Sequence, residues 1–392
     1  MDLDAIAQAM DGVLRPDGPG REMAFLPSPV VQNHASFLCE LSDSTILCAW
    51  FGGSLEGKSD ICIRASVLPP GASAWGPAQT LSDDPDHSEQ NPFFFVSPDS
   101  KLWLIHTVQP SGNQDECRVR MVEILRAGSE LIAQSGRFLD LPRGSFVRAP
   151  MQLLPGGDWV LPLFRCVPRE GQKWTGSHDV AAVAISSDRG ESWEYREIPG
   201  SIGCVHTCPI MTETGFAAFF RRRQADQVYR AEGSADGRDW GAPQPVDVPN
   251  NNSSIAVTKL RSGQVAMICN PVNADMSESR RQSLYDELGE EDARPDADPE
   301  GGCHPIWGVE RAPVVVCLSD DEGRSFPKRF LIEDGPGACL SNNSTDGRNQ
   351  EMSYPWISEA GDGSLHLSYT YHRRAIKYLC LAPGWQTRLP RL

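Results

Sequence analysis

Six segments of the chain open an apolar run with a side chain that can bind a ligand or react. The six residues are His34, Asn91, Arg148, His206, Asn252 and Tyr354. A phenol becomes a nucleophile when a base takes its proton, a histidine can supply that base, and an arginine binds a carboxylate through paired hydrogen bonds. A set of this kind predicts chemistry on an anionic ligand, provided that the fold brings its members together.

A second group of polar residues follows the next apolar run of three of these segments. Its members are Trp50, Glu56, Asp60 and Arg64 in "AWFGGSLEGKSDICIR", Arg221, Arg222 and Arg223 in "FFRRRQADQVYR", and His372, Arg373 and Arg374 in "YTYHRRAIKY". Side chains alternate along a strand, so at least one arginine of each run is expected to face the same side as the first group. Converging arginines predict a carboxylate-bearing ligand.

The elements that must position these residues form an internal repeat. Each copy has a polar residue, an apolar strand, a Gly/Asp/Ser turn, a second apolar strand and a third. The copies begin at "NHASFLCEL", "EQNPFFFV", "VRAPMQLL", "VHTCPIM", "NNSSIAVTKL" and "SYPWISEA". Copies mostly about 50–60 residues apart predict an all-β, six-bladed β-propeller. The first strand of each blade lines the central channel of this fold, so the first group of residues is expected at one mouth.

The repeat also sets the predicted boundaries. Residues 1–24 are interpreted as an N-terminal extension and residues 25–392 as a single propeller domain, with "REMAFLPSPVV" available to complete the last blade. Residues 272–310 interrupt blade five. Within them "SESRRQSLYDELGEE" is predicted as a short helix and the remainder as a long loop. Two interpretations of this insertion stay open, a solvated excursion and a lid or oligomer contact.

Three turns after third strands share a further motif. They read "SSDRGESW" at 186–193, "SADGRDW" at 234–240 and "SDDEGRSF" at 319–326. Each resembles the Asp-box, a hairpin turn in which an aspartate caps backbone N–H groups and a glycine allows positive φ. The three turns support the propeller architecture and carry no catalytic information.

Composition excludes several classes of function. The formal charge is −16, from 36 Lys and Arg against 52 Asp and Glu, which argues against nucleic acid or an anionic membrane as a partner. No apolar run reaches the ~18 residues of a membrane span, and the acidic N-terminus does not resemble a signal peptide. The cysteines lie mostly in apolar strands without metal-ligand spacing, so we expect a cytoplasmic protein with no metal or other cofactor.

Taken together, these motifs resemble the sialidase superfamily, specifically the bacterial BNR-repeat group of predicted neuraminidases. The resemblance runs from Pro29 to Leu381. It implies an arginine triad for the substrate carboxylate, an acidic acid/base residue, and a tyrosine nucleophile assisted by a glutamate. Tyr354 in "SYP" matches the nucleophile, and one of Arg221, Arg222 or Arg223 matches a triad member. The acid/base falls on Glu56 or Asp60.

Two positions depart from the family pattern. His34-Ala35-Ser36 stands where the first triad arginine opens an R-I-P segment, and His206 with Thr207 stands where the assisting glutamate is expected. The missing arginine argues against sialic acid itself as the substrate. Arg148, at the entrance of blade three, is placed to bind a carboxylate from another side.

Three functional hypotheses follow. The first is an exo-acting glycosidase that cleaves a terminal acidic sugar with Tyr354 as nucleophile, Glu56 or Asp60 as acid/base, and Glu351, His206 or His372 as the group that activates the phenol. The second is a uronate-specific lyase that uses His34 or His206 as base with Arg148 neutralising charge. The third is a non-catalytic glycan-binding propeller. The predicted substrate-binding residues are Arg148, Arg221, Arg222, Arg64, Asn91, Asn252, Arg373, His372 and Trp50. The sugar, the linkage and the oligomeric state stay open.

Overall fold

The computed structural model describes residues 3–110, 114–284, 287–288 and 294–392. Within them the strands form six antiparallel sheets, each built from strands that are neighbours in sequence, except for one sheet that also contains the N-terminal strands. The predicted six-bladed β-propeller is confirmed. Fully buried second strands, such as Ile46–Gly53 and Leu365–Tyr371, show no alternation of burial, because a blade is covered by a neighbouring blade on each face.

The first three blades begin within two residues of the starts predicted from the repeat. Blade one consists of Gln32–Glu40, Ile46–Gly53, Cys62–Leu68 and Gln79–Thr80. Blade two consists of His87–Val96, Leu102–Pro110, Arg118–Ala127, Glu130–Ala133 and Arg137–Phe138. Blade three consists of Ser145–Val147, Gln152–Leu153, Trp159–Arg165, Val180–Ser186 and Glu194–Glu197.

The other three blades follow the same order. Blade four consists of Cys204–Met211, Phe216–Arg222, Gln227–Gly233 and Gln244–Pro249. Blade five consists of Ala256–Lys259, Val265–Cys269, Val314–Ser319 and Lys328–Glu333. Blade six consists of Trp356–Glu359, Leu365–Tyr371, Ala375–Leu381, Arg21–Phe25 and Arg15–Pro16. Helical segments are short: Leu3–Gln8 is α-helical, and Gln114–Glu116 and Trp385–Thr387 are 3₁₀ turns.

The two ends of the described chain meet in blade six. Arg21–Phe25 pairs antiparallel with Ala375–Leu381, with Arg21 opposite Leu381. The Arg21 guanidinium also donates to the carbonyl of Ile332 in blade five at 2.7 Å. The N-terminal run therefore completes the last blade and closes the ring, and the sheet includes residues 21–24 of the predicted extension.

A bulge recurs near the start of the first strands. Register shifts lie between His34 and Phe37, between Gln90 and Phe93, and between Val205 and Cys208. Residues with positive φ stand at or near this level, namely Ala35 at 58°, Asn91 at 51°, His206 at 55°, Asn252 at 54° and Tyr354 at 50°. Such bulges re-aim side chains near active sites. The sequence repeat aligned His34 with Asn91 and His206. In the structure the equivalent position of blade one, at the bulge, is occupied by Ala35, one residue later.

The three predicted Asp-box turns form compact hydrogen-bonded structures after third strands. In the last of them Asp321 accepts hydrogen bonds from the backbone N–H of Arg324 at 3.0 Å and of Ser325 at 2.9 Å. Gly323 has φ 78° at this turn, and a Cβ there would lie 2.3 Å from the Phe219 ring. The turn therefore requires glycine both for its conformation and for its packing.

The described part of the insertion at 272–310 contains no helix, so the predicted short helix is wrong for residues 277–284; residues 285–286 and 289–291 of that prediction lie outside the described residues. The backbone here bonds to a nearby side chain and to other segments instead of forming helical turns. The Arg280 guanidinium donates to the carbonyls of Ser277 and Ser279 at 2.7 Å, and the N–H of Arg281 donates to the carbonyl of Trp307 at 3.0 Å. These bonds replace the i to i−4 pattern of a helix.

Two features of the described residues concern membranes and metals. No helix in this part of the chain is long and apolar enough to cross a membrane. No group of three or more His, Cys, Asp or Glu side chains within it has the arrangement of a metal site.

Candidate active site

Tyr354 lies at the centre of the mouth predicted from the repeat. It follows the short segment that precedes blade six, and 7% of its surface is exposed. Its phenol oxygen accepts a hydrogen bond from Nη1 of Arg221 in blade four at 2.7 Å. The rings of His34 and His206 lie with their centroids 4.2 and 5.4 Å from the Tyr354 ring. Residues from blades one, four and six therefore meet around one phenol.

Both imidazoles beside Tyr354 are neutral. Burial lowers the pKa of His34 well below its ordinary value, and the charges of Arg373 and Arg311 lower it further. Burial also lowers the pKa of His206, together with the charge of Arg221. Nδ1 of His34 lies 2.8 Å from the hydroxyl of Thr370, while Nε2 of His34 and Nδ1 of His206 have no hydrogen-bond partner among the described residues. These two ring nitrogens are therefore buried groups whose hydrogen-bonding capacity the described residues leave unused.

Three guanidinium groups surround the tyrosine ring. The Cζ atoms of Arg148, Arg221 and Arg311 lie 5.5, 5.8 and 5.8 Å from its centroid. Arg148 donates to the backbone carbonyls of Tyr354 and Ser36, each at 3.1 Å, and so ties blade three to blades six and one. Cations at this distance stabilise negative charge that develops on the phenol during a reaction.

Glu351 is a buried carboxylate that binds Arg311 and a fourth arginine, Arg373. Its Oε1 accepts hydrogen bonds from Arg311 at 3.0 Å, from Arg373 at 2.8 Å and from the hydroxyl of Ser353 at 2.6 Å. Burial acts to raise the pKa of this carboxyl, but the charges of Arg373 and Arg311 outweigh burial and hold the pKa below its usual value. Its Oε2 has no partner among the described residues. His34 lies 3.8 Å away but forms no ion pair, because its ring is neutral.

Glu56 reaches the same cluster from the loop that leaves blade one. Its Oε2 accepts hydrogen bonds from Nη1 of Arg373 and from Nδ2 of Asn342, the latter at 2.9 Å. Asp60, the alternative predicted from sequence, is exposed and accepts hydrogen bonds from the N–H and hydroxyl of Ser54 at 2.9 and 3.0 Å. The structure thus brings Glu56 to the arginines, whereas Asp60 closes the loop that carries Glu56.

The charges of the cluster do not balance. Among the described residues it contains four guanidinium groups, from Arg148, Arg221, Arg311 and Arg373, against the two carboxylates of Glu56 and Glu351. Arg148 and Arg221 have no carboxylate partner in this part of the chain, and burial lowers the pKa of each to about 10. Buried cations without anions are costly, so the site favours an anionic ligand.

A protein-family model described as the BNR repeat-like domain matches residues 44–367. The chain belongs to the BNR repeat-like family. A search of curated proteins returned no match. Family membership agrees with the sequence resemblance to sialidase-like BNR proteins, and it leaves the reaction of this BNR protein to be argued from its own residues.

Solved structures of sialidases share the fold of this BNR protein. "Hadza microbial sialidase Hz136" is similar with a TM-score of 0.66 and 11% identity over 91% of this chain and 66% of that one. The sialidase of Trypanosoma rangeli is similar with a TM-score of 0.61 and 12% identity, over 94% of this chain and 60% of that one. A Dyadobacter fermentans protein of unknown function is similar with a TM-score of 0.65 and 12% identity, over 93% of this chain and 100% of that one. The chain therefore spans about two thirds or less of those two sialidases, and identities of this size show the fold alone.

The BNR protein gathers only part of the predicted residue set around Tyr354. The gathered residues are His34, His206, Arg148, Arg221, Asn252, Glu56 and Arg373. Asn252 belongs to the set because its Oδ1 accepts from Nε of Arg221 at 2.7 Å. Asn91 is buried at the corresponding bulge of blade two, and its Oδ1 has no partner among the described residues.

Four predicted binding residues make other contacts. Arg64 donates to the hydroxyl of Thr80 in the outermost strand of blade one at 2.8 Å. Arg222 pairs with Asp226 at 3.3 Å and lies over the Tyr229 ring. Trp50 is fully buried and donates to Asn33. His372 packs beneath Gly337, where a Cβ would lie 2.3 Å from its Nε2. Their predicted roles in substrate binding gain no support from these contacts.

Two site residues were absent from the predicted set. Arg311 and Asn342 follow the insertion in blade five, outside the repeated positions. Arg223, one of the three candidates for a triad arginine, instead pairs with the buried Asp179 at 2.6 Å beside the Trp174 and Trp307 rings. The "RAP" triplet that Arg311 shares with Arg148 was the one sequence signal for it.

Proposed function

We propose that the protein is an exo-acting glycoside hydrolase that removes a terminal, carboxylate-bearing sugar, with Tyr354 as nucleophile and Glu56 as acid/base. The observation that carries the proposal is Arg221, which is 2% exposed, has no carboxylate partner among the described residues, and donates to the phenol oxygen of Tyr354 at 2.7 Å. A substrate carboxylate bound to this guanidinium would be held next to the nucleophile.

A tyrosine suits a substrate with its carboxylate at or near the anomeric carbon. Such a group repels an aspartate or glutamate nucleophile, while a phenol stays neutral until it reacts; tyrosine glycosidases are the known exception to the two-carboxylate mechanism. In the first step the phenol oxygen of Tyr354 bonds to the anomeric carbon as the glycosidic bond breaks, and the carboxyl of Glu56 gives its proton to the leaving oxygen. In the second step water attacks the anomeric carbon and loses a proton to Glu56, the bond between the sugar and Tyr354 breaks, and the phenol oxygen recovers the proton that it lost in the first step.

The phenol proton needs an acceptor, and Glu351 is our candidate. It is buried, ionised and three residues before Tyr354, and its Oε2 has no hydrogen-bond partner among the described residues. Arg311 and Arg373 fix its other oxygen, which orients the carboxylate. The guanidinium groups around the ring offset the charge that develops on the phenol.

The test is a screen of acidic oligosaccharides and synthetic acidic glycosides with mass detection, repeated in isotope-labelled water. A hydrolase releases one terminal acidic sugar that contains oxygen from the solvent. Tyr354→Phe should lose about 10³-fold or more in turnover, while binding of the acidic product persists. A variant with full activity would exclude Tyr354 as the nucleophile, and failure of the whole panel to react would contradict the hydrolase.

A uronate lyase is the second candidate, favoured by the neutral rings of His34 and His206 beside Tyr354. A neutral imidazole can take the proton α to a carboxylate while an arginine offsets the charge that forms. The same screen separates the two reactions. A lyase forms an unsaturated uronate that absorbs in the ultraviolet and incorporates no solvent oxygen, so labelled product without that absorbance excludes it.

A further inference from the structure

Two segments outside the repeat meet above Glu56. The first is the loop 339–349, which is fixed to blade six by the N–H of Leu340 donating to the carbonyl of His372 at 2.9 Å. The second is the insertion in blade five. The N–H of Thr345 in the loop donates to the carbonyl of Arg280 in the insertion at 3.0 Å. The loop and the insertion are therefore joined to each other as well as to the propeller.

Asn342 links both segments to the candidate acid/base. Its Nδ2 donates to Oε2 of Glu56 at 2.9 Å, and its Oδ1 accepts from Nη2 of Arg281 at 3.1 Å. The residue is 4% exposed and has φ 54°, a left-handed conformation that asparagine tolerates better than most residues. Both functions of the amide are used, so its orientation is fixed.

We propose that Asn342 is a positioning residue that fixes the orientation and the protonation of Glu56. The inference rests on the proposed function in one respect, namely that Glu56 is the acid/base. The amide of Asn342 is a neutral donor, so it holds Oε2 of Glu56 without adding charge. Arg373, in contrast, is a buried cation that Glu56 shares with Glu351. Asn342 therefore supplies the contact that Glu56 does not share with the other carboxylate.

The charged groups around Glu56 define what a substitution at Asn342 changes. Arg373 contacts it from blade six, Glu351 lies behind Arg373, and Arg281 lies behind Asn342. On its own loop, Lys58 and Asp60 are exposed. Asn342→Asp keeps the shape of the side chain and places a second carboxylate against Glu56. Two carboxylates that share a site do not both ionise readily, so one of them retains a proton to higher pH.

The matched control is the neighbouring asparagine. Asn343 lies in the same loop, where its Oδ1 accepts from the N–H of Ser344 at 2.8 Å and of Asn349 at 2.9 Å, and it makes no hydrogen bond to Glu56. Asn343→Asp adds the same charge one residue away and keeps those acceptors, although it loses the hydrogen bond from Nδ2 to the carbonyl of Cys339. An effect that arises only from a disturbed loop should therefore be at least as large in Asn343→Asp.

The first readout is the pH profile of kcat/KM. Its alkaline limb, where the acid loses its proton, should move up by about one pH unit or more in Asn342→Asp and stay in place in Asn343→Asp. Asn342→Gly, which tolerates the positive φ, should lower kcat with little change in KM. Superposable profiles for the parent and Asn342→Asp, or equal shifts in both aspartate variants, would overturn the inference.

The second readout needs no turnover. The Glu56 carboxyl carbon, assigned by its loss in Glu56→Gln, is followed by NMR against pH in the parent, Asn342→Asp and Asn343→Asp. The midpoint should rise in Asn342→Asp alone. If the parent protein cleaves no acidic glycoside, the proposed function fails, while an unchanged midpoint in Asn342→Asp refutes the positioning role independently of activity.

Discussion

The mouth of the propeller and its Asp-box turns use polar side chains in opposite ways. At the turn 319–326 the carboxylate of Asp321 accepts hydrogen bonds at both oxygens, from Ser319, Arg324 and Ser325. At the mouth, atoms of several buried residues have no partner among the described residues: Nε2 of His34, Nδ1 of His206, Nη1 of Arg148 and Oε2 of Glu351. Unsatisfied buried groups cost stability, and under the proposed function these four atoms are the ones that a ligand contacts.

Charge shows the same contrast. Burial acts against ionisation of Asp321, but the hydrogen bonds from Ser319 and Ser325 lower its pKa to about 2, and the turn is complete without a ligand. At the mouth, Arg148 and Arg221 keep a positive charge that no carboxylate of the described chain offsets. The turns therefore contribute to stability, and the mouth contributes to function. Four predictions test this division.

The largest effect is expected for the acid/base. Glu56→Gln should reduce kcat/KM by about 10²–10⁴-fold for substrates with a poor leaving group, because the leaving oxygen is no longer protonated. Asp60→Asn is the control, since Asp60 is exposed and contacts Ser54. Kinetics on substrates with good and poor leaving groups check the assignment. Equal losses in the two variants would exclude a special role for Glu56.

Arg221 should matter next. Arg221→Gln should raise KM for an acidic substrate by about 10–100-fold, the value of a charge-assisted hydrogen bond, and change KM for the reduced neutral analogue much less. The control is Arg222→Gln, because Arg222 pairs with Asp226 and lies over Tyr229. Steady-state kinetics on the substrate pair give the answer. A similar rise for both substrates would remove Arg221 from carboxylate binding.

The neutral histidines of the mouth predict a pH dependence of stability. Their pKa values are lowered in the folded protein, so the unfolded chain binds more protons once the pH falls below about 6.5. The free energy of unfolding should therefore decrease by up to about 1.4 kcal/mol per pH unit for each histidine. Chemical denaturation between about pH 6.5 and 5.5 tests this above the range in which ordinary carboxyls titrate.

The variant His34→Asn/His206→Asn should flatten that dependence. Some slope should persist, because burial also lowers the pKa values of His106, His366 and His372. The exposed His304 supplies the control, since His304→Asn should leave the slope unchanged. An unaltered slope in the double variant would show that the two imidazoles do not titrate as described.

The smallest effect is expected at the turn. Asp321→Ala removes hydrogen bonds that cap the turn and should lower Tm by about 2 °C without changing kcat or KM. Differential scanning calorimetry and kinetics on one preparation check both halves. A kinetic defect at unchanged Tm would contradict the division between the turns and the mouth.

The fold could be predicted because every blade buries itself with the same pattern of strands and turns. The same repeat placed Tyr354 and His206 at one mouth, since equivalent positions of a repeat meet there, whereas Arg221 was left open among three neighbouring arginines. His34 was placed one residue before the bulge of blade one, where Ala35 has positive φ, whereas Asn91 and His206 themselves occupy the bulges of blades two and four.

Other residues depend on loops, where sequence periodicity carries no information. The choice between Glu56 and Asp60 rests on the conformation of the loop 54–61, in which Asp60 turns back to Ser54. Arg311 and Asn342 reach the site through segments whose length breaks the repeat. A short helix was predicted for residues 277–291, but Arg280 satisfies neighbouring carbonyls instead of continuing a helical turn.

The pairing of Arg21–Phe25 with Ala375–Leu381 has a consequence for folding. Blade six carries Tyr354, Glu351 and Arg373, and its sheet is complete only after a strand from the start of the described chain joins strands from its end. Contacts of such sequence separation form late and slowly. The residues of the proposed active site in blade six are therefore expected to reach their native positions only when the ring closes, and recovery of turnover during refolding would time that closure.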